Sequence, residues 1–185
     1  SLVTERTRLM AFPHISNALG TVNPVEMLCN FAQSKGILTL IDGAQAAAHT
    51  PIDMQALGCD FYAFSGHKLY GPTGVGILYG REDLLNNMPP YQGGGDMIEE
   101  VYFEGSTYKP APSRFEAGTP HIAGAIGLGA AVEYLIEIGL DQIHHYESEL
   151  INYGAELLAT EVPGLRIIGT PRQRASAISF VIEGT

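Results

Sequence analysis

Cysteine is almost missing from this sequence. Its two residues, Cys29 and Cys59, are too few and too scattered for a disulfide framework or a zinc site, so a reducing, cytoplasmic compartment is the expectation. Basic residues are scarce as well: ten Lys and Arg stand against twenty Asp and Glu, a formal net charge of −10. With no basic run anywhere, nucleic acid and an anionic membrane surface are not expected as partners. A small anionic ligand is still allowed, because a local cluster of donors binds phosphate within an acidic protein. The opening SLVTERTRLM has no apolar core of the signal-peptide kind. The longest weakly polar stretch, IAGAIGLGAAVEYLIEIGL, is interrupted by Glu133 and Glu137, so it reads as a buried helix and not as a membrane span. No internal repeat or low-complexity tract is present.

What is there is the composition of a folded domain. The 185 residues are 45% apolar and 16% charged, enough for one ordinary core. RLMAF, from Arg8, is strand-like. In the next segment Asn23 is placed to cap a helix, Pro24 to occupy its first position and Gly36 to end it. Val25, Leu28, Phe31 and Ala32 make its packing face. ILTLID is a continuous apolar run of strand length, as in a parallel strand buried on both faces, and it ends on the carboxylate of Asp42. A short helix near DMQALG, the strands DFYAFS and GVGILYG, and a helix over Arg81 to Met88 follow. MPPYQGGGDMIEEV reads as an irregular loop. Long helices are expected over His121 to Gly139 and Asp141 to Thr160, then strands LRIIG and AISFVIEG. The alternation is that of an α/β sheet. Because strand-like segments lie close to both termini, the chain is expected to be a fragment of a longer one.

Ligands of an open parallel sheet gather at the carboxyl ends of its strands. Asp42 ends one strand there, with Gln45 just beyond, and Ser65, His67 and Lys68 end another. An aspartate at the end of an apolar strand is costly to bury unless a cation, a metal or a protonated ring meets it. Three chemistries use such a set. GPTGVG suggests a phosphate loop, but Ile77 follows Gly76 where the Walker pattern needs Lys, and the glycines precede a strand instead of opening a helix. A metal centre is disfavoured because the six histidines make no ligand pair at helical spacing. The third is pyridoxal phosphate: a lysine amine bonds the cofactor's aldehyde, an acid keeps the pyridine nitrogen protonated, and hydroxyl and imidazole groups hold the phosphate.

Four segments sharpen this. HISNALGTVNP, the long run from Asp42 to Gly80, PPYQGGGDMI and RFEAGTP together resemble the cysteine desulfurases of the class V aminotransferase superfamily, the type that includes selenocysteine lyase-like members. The resemblance covers nearly the whole chain. It implies a PLP-dependent transferase fold of the aspartate aminotransferase type, in part: residues 1–139 in the large, mostly parallel-sheet domain and residues 140–185 opening the small C-terminal α+β domain. It implies that Lys68 carries the imine linkage to pyridoxal 5'-phosphate and that Asp42 pairs with the pyridine nitrogen. Gln45 is implied at the phenolic oxygen, Ser65 and His67 at the phosphate, and Asn17 near the substrate carboxylate. Thr119 is implied to reach the phosphate across a homodimer. The implied reaction takes sulfur from L-cysteine, or L-selenocysteine's selenium in the lyase-like members, releases L-alanine and passes sulfur on as a persulfide, with a sulfur-acceptor protein as a further partner.

The departures matter equally. The nucleophilic cysteine and the carboxylate-gripping arginine of that family are implied to lie outside these residues, and neither Cys29 nor Cys59 fits the role. His121 stands where many members of the family have asparagine. His144, His145, Glu147 and Glu149 read as solvated helix surface. The competing reading is a non-catalytic interaction or dimerisation module that keeps the sequence without the cofactor.

Overall fold

The computed structural model describes residues 2–169, 171–175 and 177–184. Its main sheet runs in chain order: β1 (Leu9–Pro13), β2 (Leu38–Asp42) and β3 (Phe61–Ser65) are parallel, and β4 (Gly76–Gly80) adds antiparallel to β3. Parallel neighbours need a crossover; α1 (Val25–Ser34) supplies the first, and α2 (Met54–Leu57) lies in the second.

The helix α1 corrects two expectations. It begins at Val25 after Pro24, and Asn23 does not cap it. The Asn23 side chain instead donates to the Pro13 carbonyl at 2.7 Å, tying the helix entrance to the end of β1. The buried stripe is Val25, Cys29 and Ala32, at the helical spacing of one face, whereas Phe31 is exposed. Gly36 does close the helix, in the left-handed region at φ 65°.

Under α1 lies a core of Val25, Cys29, Ile41, Cys59 and Tyr62. Each such side chain contributes roughly 1.5–3 kcal/mol by leaving water. The opposite face of the sheet is more open. Along β2, burial alternates, with Leu38 and Asp42 exposed and Thr39 and Ile41 buried. The expectation of a strand buried on both faces is therefore not met.

Polar bonds lock the amino end of the sheet. The Asp60 carboxylate, just before β3, accepts from the Thr39 amide at 2.8 Å, the Thr39 hydroxyl at 3.1 Å and Arg81 Nη1 at 3.0 Å. The Asp60 amide in turn donates to the Thr39 hydroxyl. Three adjacent segments are thus joined through one buried acid.

After α3 (Glu82–Asn87), the segment expected to be irregular forms a hairpin of β5 (Ile98–Val101) and β6 (Ser106–Tyr108). The helix α4 (Ile122–Ile138) is present as expected but is not wholly buried. It buries Gly124, Leu128, Ala131 and Leu135 and leaves Ile122, Ile126, Tyr134 and Ile136 exposed. His121 caps it, its Nδ1 accepting from the Gly124 amide at 3.1 Å. An asparagine oxygen does the same work, which gives the exchange of asparagine for histidine a physical reason.

Gly139, at φ 92°, turns the chain into α5 (Leu140–Glu161), followed by the antiparallel pair β7 (Leu165–Ile168) and β8 (Ser179–Ile182). Among the described residues no single helix is long and apolar enough to cross a membrane. Glu147 is not solvated surface: its carboxylate meets His49 Nδ1 at 2.8 Å, half-buried, and ties α5 to the turn after β2. His145 and Glu149 do form an exposed pair, at 3.4 Å.

Candidate functional site

The site is built by strand register. Pro13 pairs with Asp42, and Asp42 with Ala63. Ser65 is two residues past Ala63, and a 3-10 turn over Gly66–Leu69 carries His67 and Lys68 directly after it. The carboxyl ends of two adjacent parallel strands, β2 and β3, therefore present Asp42, Ser65, His67 and Lys68 along one edge, where an open α/β sheet collects its ligands. Asn17 lies four residues past the end of β1.

Asp42 is exposed, and its Oδ1 accepts from the Ala44 amide at 2.9 Å, which leaves Oδ2 available. Ser65 is half-buried, and its hydroxyl makes no capping bond to the turn it precedes. His67 and Lys68 are both exposed. Tight glycines shape the turn: a Cβ on Gly66 comes within 2.9 Å of Val75 Cγ1, and one on Gly71 within 2.9 Å of the Gly66 carbonyl oxygen. A side chain at either position would force its neighbours to shift.

The remaining expected residues are placed differently. Gln45 is half-buried in the turn after Asp42 and lines a cavity of about 340 Å³ with His49, Glu147, Leu150, Ile151 and Ile178. Asn17 is exposed in a turn held by the Ser16 hydroxyl, which accepts from the Ala18 and Leu19 amides. Thr119 is exposed. Its segment rests on the glycine run, Gly118 donating to the Gly95 carbonyl at 2.9 Å.

Two residues that sequence reasoning passed over adjoin the Asp42–Gly43 stretch. Tyr62 is fully buried, and its hydroxyl lies 2.9 Å from His14 Nδ1. Burial raises the Tyr62 phenol well above its ordinary range, with the charges of Cys59 and Asp42 adding to it, and burial lowers the His14 imidazole. His14 opens the HISN segment and Tyr62 sits in the strand DFYAFS, but their pairing spans 48 residues and leaves no local signal. The cysteines are unsuited to nucleophilic work. Cys29 and Cys59 are 1% and 2% exposed, burial pushes the Cys59 thiol up to about 11 with Cys29 adding to it, and burial also raises Cys29. A reactive thiol needs the reverse, a lowered pKa and access.

Chemically, the edge offers a free amine, a carboxylate, an imidazole and a hydroxyl on adjacent strand ends. This equips it to hold an aldehyde, a basic ring nitrogen and a phosphate. Comparison with known proteins agrees. The Aminotransferase class-V family profile matches residues 1–185, and the chain belongs to that family. It is 54% identical over 181 residues to a cysteine desulfurase of Dickeya dadantii, covering 97% of this chain and 43% of the relative. The structure of the cysteine desulfurase CsdA from Escherichia coli superposes with a TM-score of 0.92 at 44% identity, over all of this chain and 45% of that one. A lysine-to-alanine mutant of C-DES, with glycine covalently linked to its PLP cofactor, gives a TM-score of 0.86 at 26% identity, over 98% of this chain and 49% of that one. The chain spans less than half the length of each of these relatives.

Proposed function

We propose that these residues form the lysine-and-acid half of the site of a pyridoxal-phosphate-dependent cysteine desulfurase, which converts L-cysteine to L-alanine and hands the sulfur to a thiol as a persulfide. The observation that carries the reading is the register that ranks Asp42 beside Ala63, with Ser65 and the Lys68 turn immediately following. The donor set fits the cofactor, with one group for each of its polar positions. Lys68 Nζ would bond the aldehyde and Asp42 would hold the proton on the ring nitrogen. Gln45 would donate to the phenolic oxygen, Ser65 and His67 would bind the phosphate, and Asn17 would stand by the substrate carboxylate. Thr119 would reach the phosphate of a second copy in a homodimer.

When bound, pyridoxal phosphate supplies an electron sink for charge developing at the substrate's α-carbon. The work of the chain is then proton placement. A carboxylate at Asp42 would favour the protonated form of the ring nitrogen. Lys68 would be the base that moves a proton at the substrate's α-carbon. The sulfur-accepting thiol is neither Cys29 nor Cys59, since both are buried with raised pKa values. A cytoplasmic setting and delivery of sulfur to an acceptor protein for iron–sulfur cluster assembly complete the proposal.

The test is turnover by the intact protein loaded with pyridoxal phosphate and given L-cysteine or L-selenocysteine. Alanine release from cysteine that is lost in Lys68→Ala and kept in Cys29→Ser and Cys59→Ser is the expected result. Release from selenocysteine alone would move the reading to the lyase. Equal turnover by wild type and Lys68→Ala would end it.

A further inference from the structure

The direction of the Asp42 carboxylate depends on the backbone from Asp42 to Ala44, because among the described residues its bond is to the Ala44 amide. That backbone is held from both neighbouring strands. The His14 amide donates to the Asp42 carbonyl at 2.8 Å, and the Gly43 amide donates to the Ala63 carbonyl at 2.8 Å. From below, the ring of Tyr62 occupies the space where a side chain at position 43 would stand: a Cβ on Gly43 falls 1.9 Å from Tyr62 Cε1 and 2.5 Å from its hydroxyl oxygen. Glycine is required there by contact, and the ring fixes how far the Gly43 backbone can sink.

Tyr62 and His14 are themselves joined. Their rings meet edge to face at 86°, with centroids 6.0 Å apart, and the Nδ1 to hydroxyl distance is 2.9 Å. The direction of that bond follows from burial. Tyr62 has no exposed surface, and a buried hydroxyl proton needs an acceptor. Among the described residues His14 Nδ1 is its hydrogen-bonding partner, so Tyr62 donates and His14 is the tautomer protonated at Nε2. His14 also lines a cavity of about 670 Å³ shared with Asn23, Glu26 and Asn30. The amide of one residue and the ring of the other thus bear on the same two-residue stretch, and one hydrogen bond locks them together.

We infer that Tyr62 and His14 are positioning residues for Asp42: the tyrosine ring under Gly43 and the His14 amide on the Asp42 carbonyl, fixed by their mutual hydrogen bond, hold the carboxylate in line with a ring nitrogen above the strand ends. The inference rests on the pyridoxal-phosphate reading. It adds two residues that touch neither cofactor nor substrate, and it concerns the sharpness of the acid–ring contact, not its existence.

The experiment uses the intact protein in wild-type, Tyr62→Phe, His14→Leu and His14→Asn forms, with Asp42→Asn as reference. Tyr62→Phe keeps the ring against Gly43 and removes the hydrogen bond. His14→Asn puts an amide oxygen near the former Nδ1, and His14→Leu does not. Three quantities are read: pyridoxal-phosphate affinity of the apoprotein, the pH midpoint of the visible band of bound cofactor, and apoprotein melting. Tyr62→Phe and His14→Leu are expected to weaken cofactor binding about five- to tenfold, the value of one hydrogen bond. Both should also move the pH midpoint in the direction taken by Asp42→Asn, with His14→Asn within about twofold of wild type, a span small beside a lost bond. Lower melting in these variants with wild-type affinity and midpoint would overturn the inference and leave the pair as core packing. If Tyr62→Phe does not fold, the contrast between His14→Asn and His14→Leu decides alone. A wild-type protein without any visible band on adding cofactor would refute the cofactor reading itself and the inference with it.

Discussion

Replacing Asp60 by alanine should destabilise the protein by about 3 kcal/mol while leaving the cofactor site intact. The magnitude follows from what each partner loses. The Thr39 amide, on a residue 1% exposed, would lose a 2.8 Å acceptor with no water to replace it, which costs about 1–3 kcal/mol. The Thr39 hydroxyl would lose its acceptor too, while it also loses nothing as an acceptor because the Asp60 amide remains; this adds about 1 kcal/mol. Arg81 would lose little, since its side chain is 46% exposed and stays paired to Asp83 at 2.7 Å. Asp60→Asn can keep both Thr39 bonds on its oxygen and forfeits the ion pair, so it should cost about 1 kcal/mol, close to Arg81→Ala. Urea unfolding of the intact apoprotein reads these values as midpoint shifts at unchanged slope. The visible spectrum of the loaded protein should not move, because Asp60 lies at the opposite end of β3 from Ser65. Arg81→Ala as costly as Asp60→Ala would refute the reasoning, because the surface ion pair and not the buried amide would then carry the energy.

Two other predictions concern pH and capping. Because Cys59 titrates at about 11 in the folded chain against an ordinary 9.0, the unfolded state releases its proton first as pH rises. Cys59 alone should therefore contribute a fall of about 2–3 kcal/mol between pH 9 and 11, to which the raised Cys29 and Tyr62 add in the same direction; Cys59→Ala should lessen that fall in a pH series of melts without abolishing it. At the start of α4, His121→Ala should cost about 1 kcal/mol by removing the acceptor of the Gly124 amide, and His121→Asn should restore it. Thermal melts of the three forms check the order.

Most of the frame was legible because its signals are local. ILTLID, DFYAFS and GILYG are short apolar runs bounded by glycine or aspartate, and each is a strand. Asp42 and Lys68 were marked by standing where such runs end. What was not legible depends on partners far along the chain. Asn23 looks like a cap until the Pro13 carbonyl claims its side chain, and Glu147 looks solvated until His49, 98 residues away, meets it. The hairpin of β5 and β6 is masked by the glycine run before it and by its charged residues, which carry little strand propensity. The His14–Tyr62 pair is invisible for the same reason as Glu147: burial at one point gives a distant hydroxyl its single acceptor.

The most direct measurement is chemical. The intact protein is loaded with pyridoxal phosphate, reduced with borohydride, digested and mapped by mass spectrometry. A phosphopyridoxyl group on Lys68, absent from Lys68→Ala, is the predicted result. A label on Lys35 or Lys109 instead, or no label at all on a protein that binds the cofactor, would contradict the account.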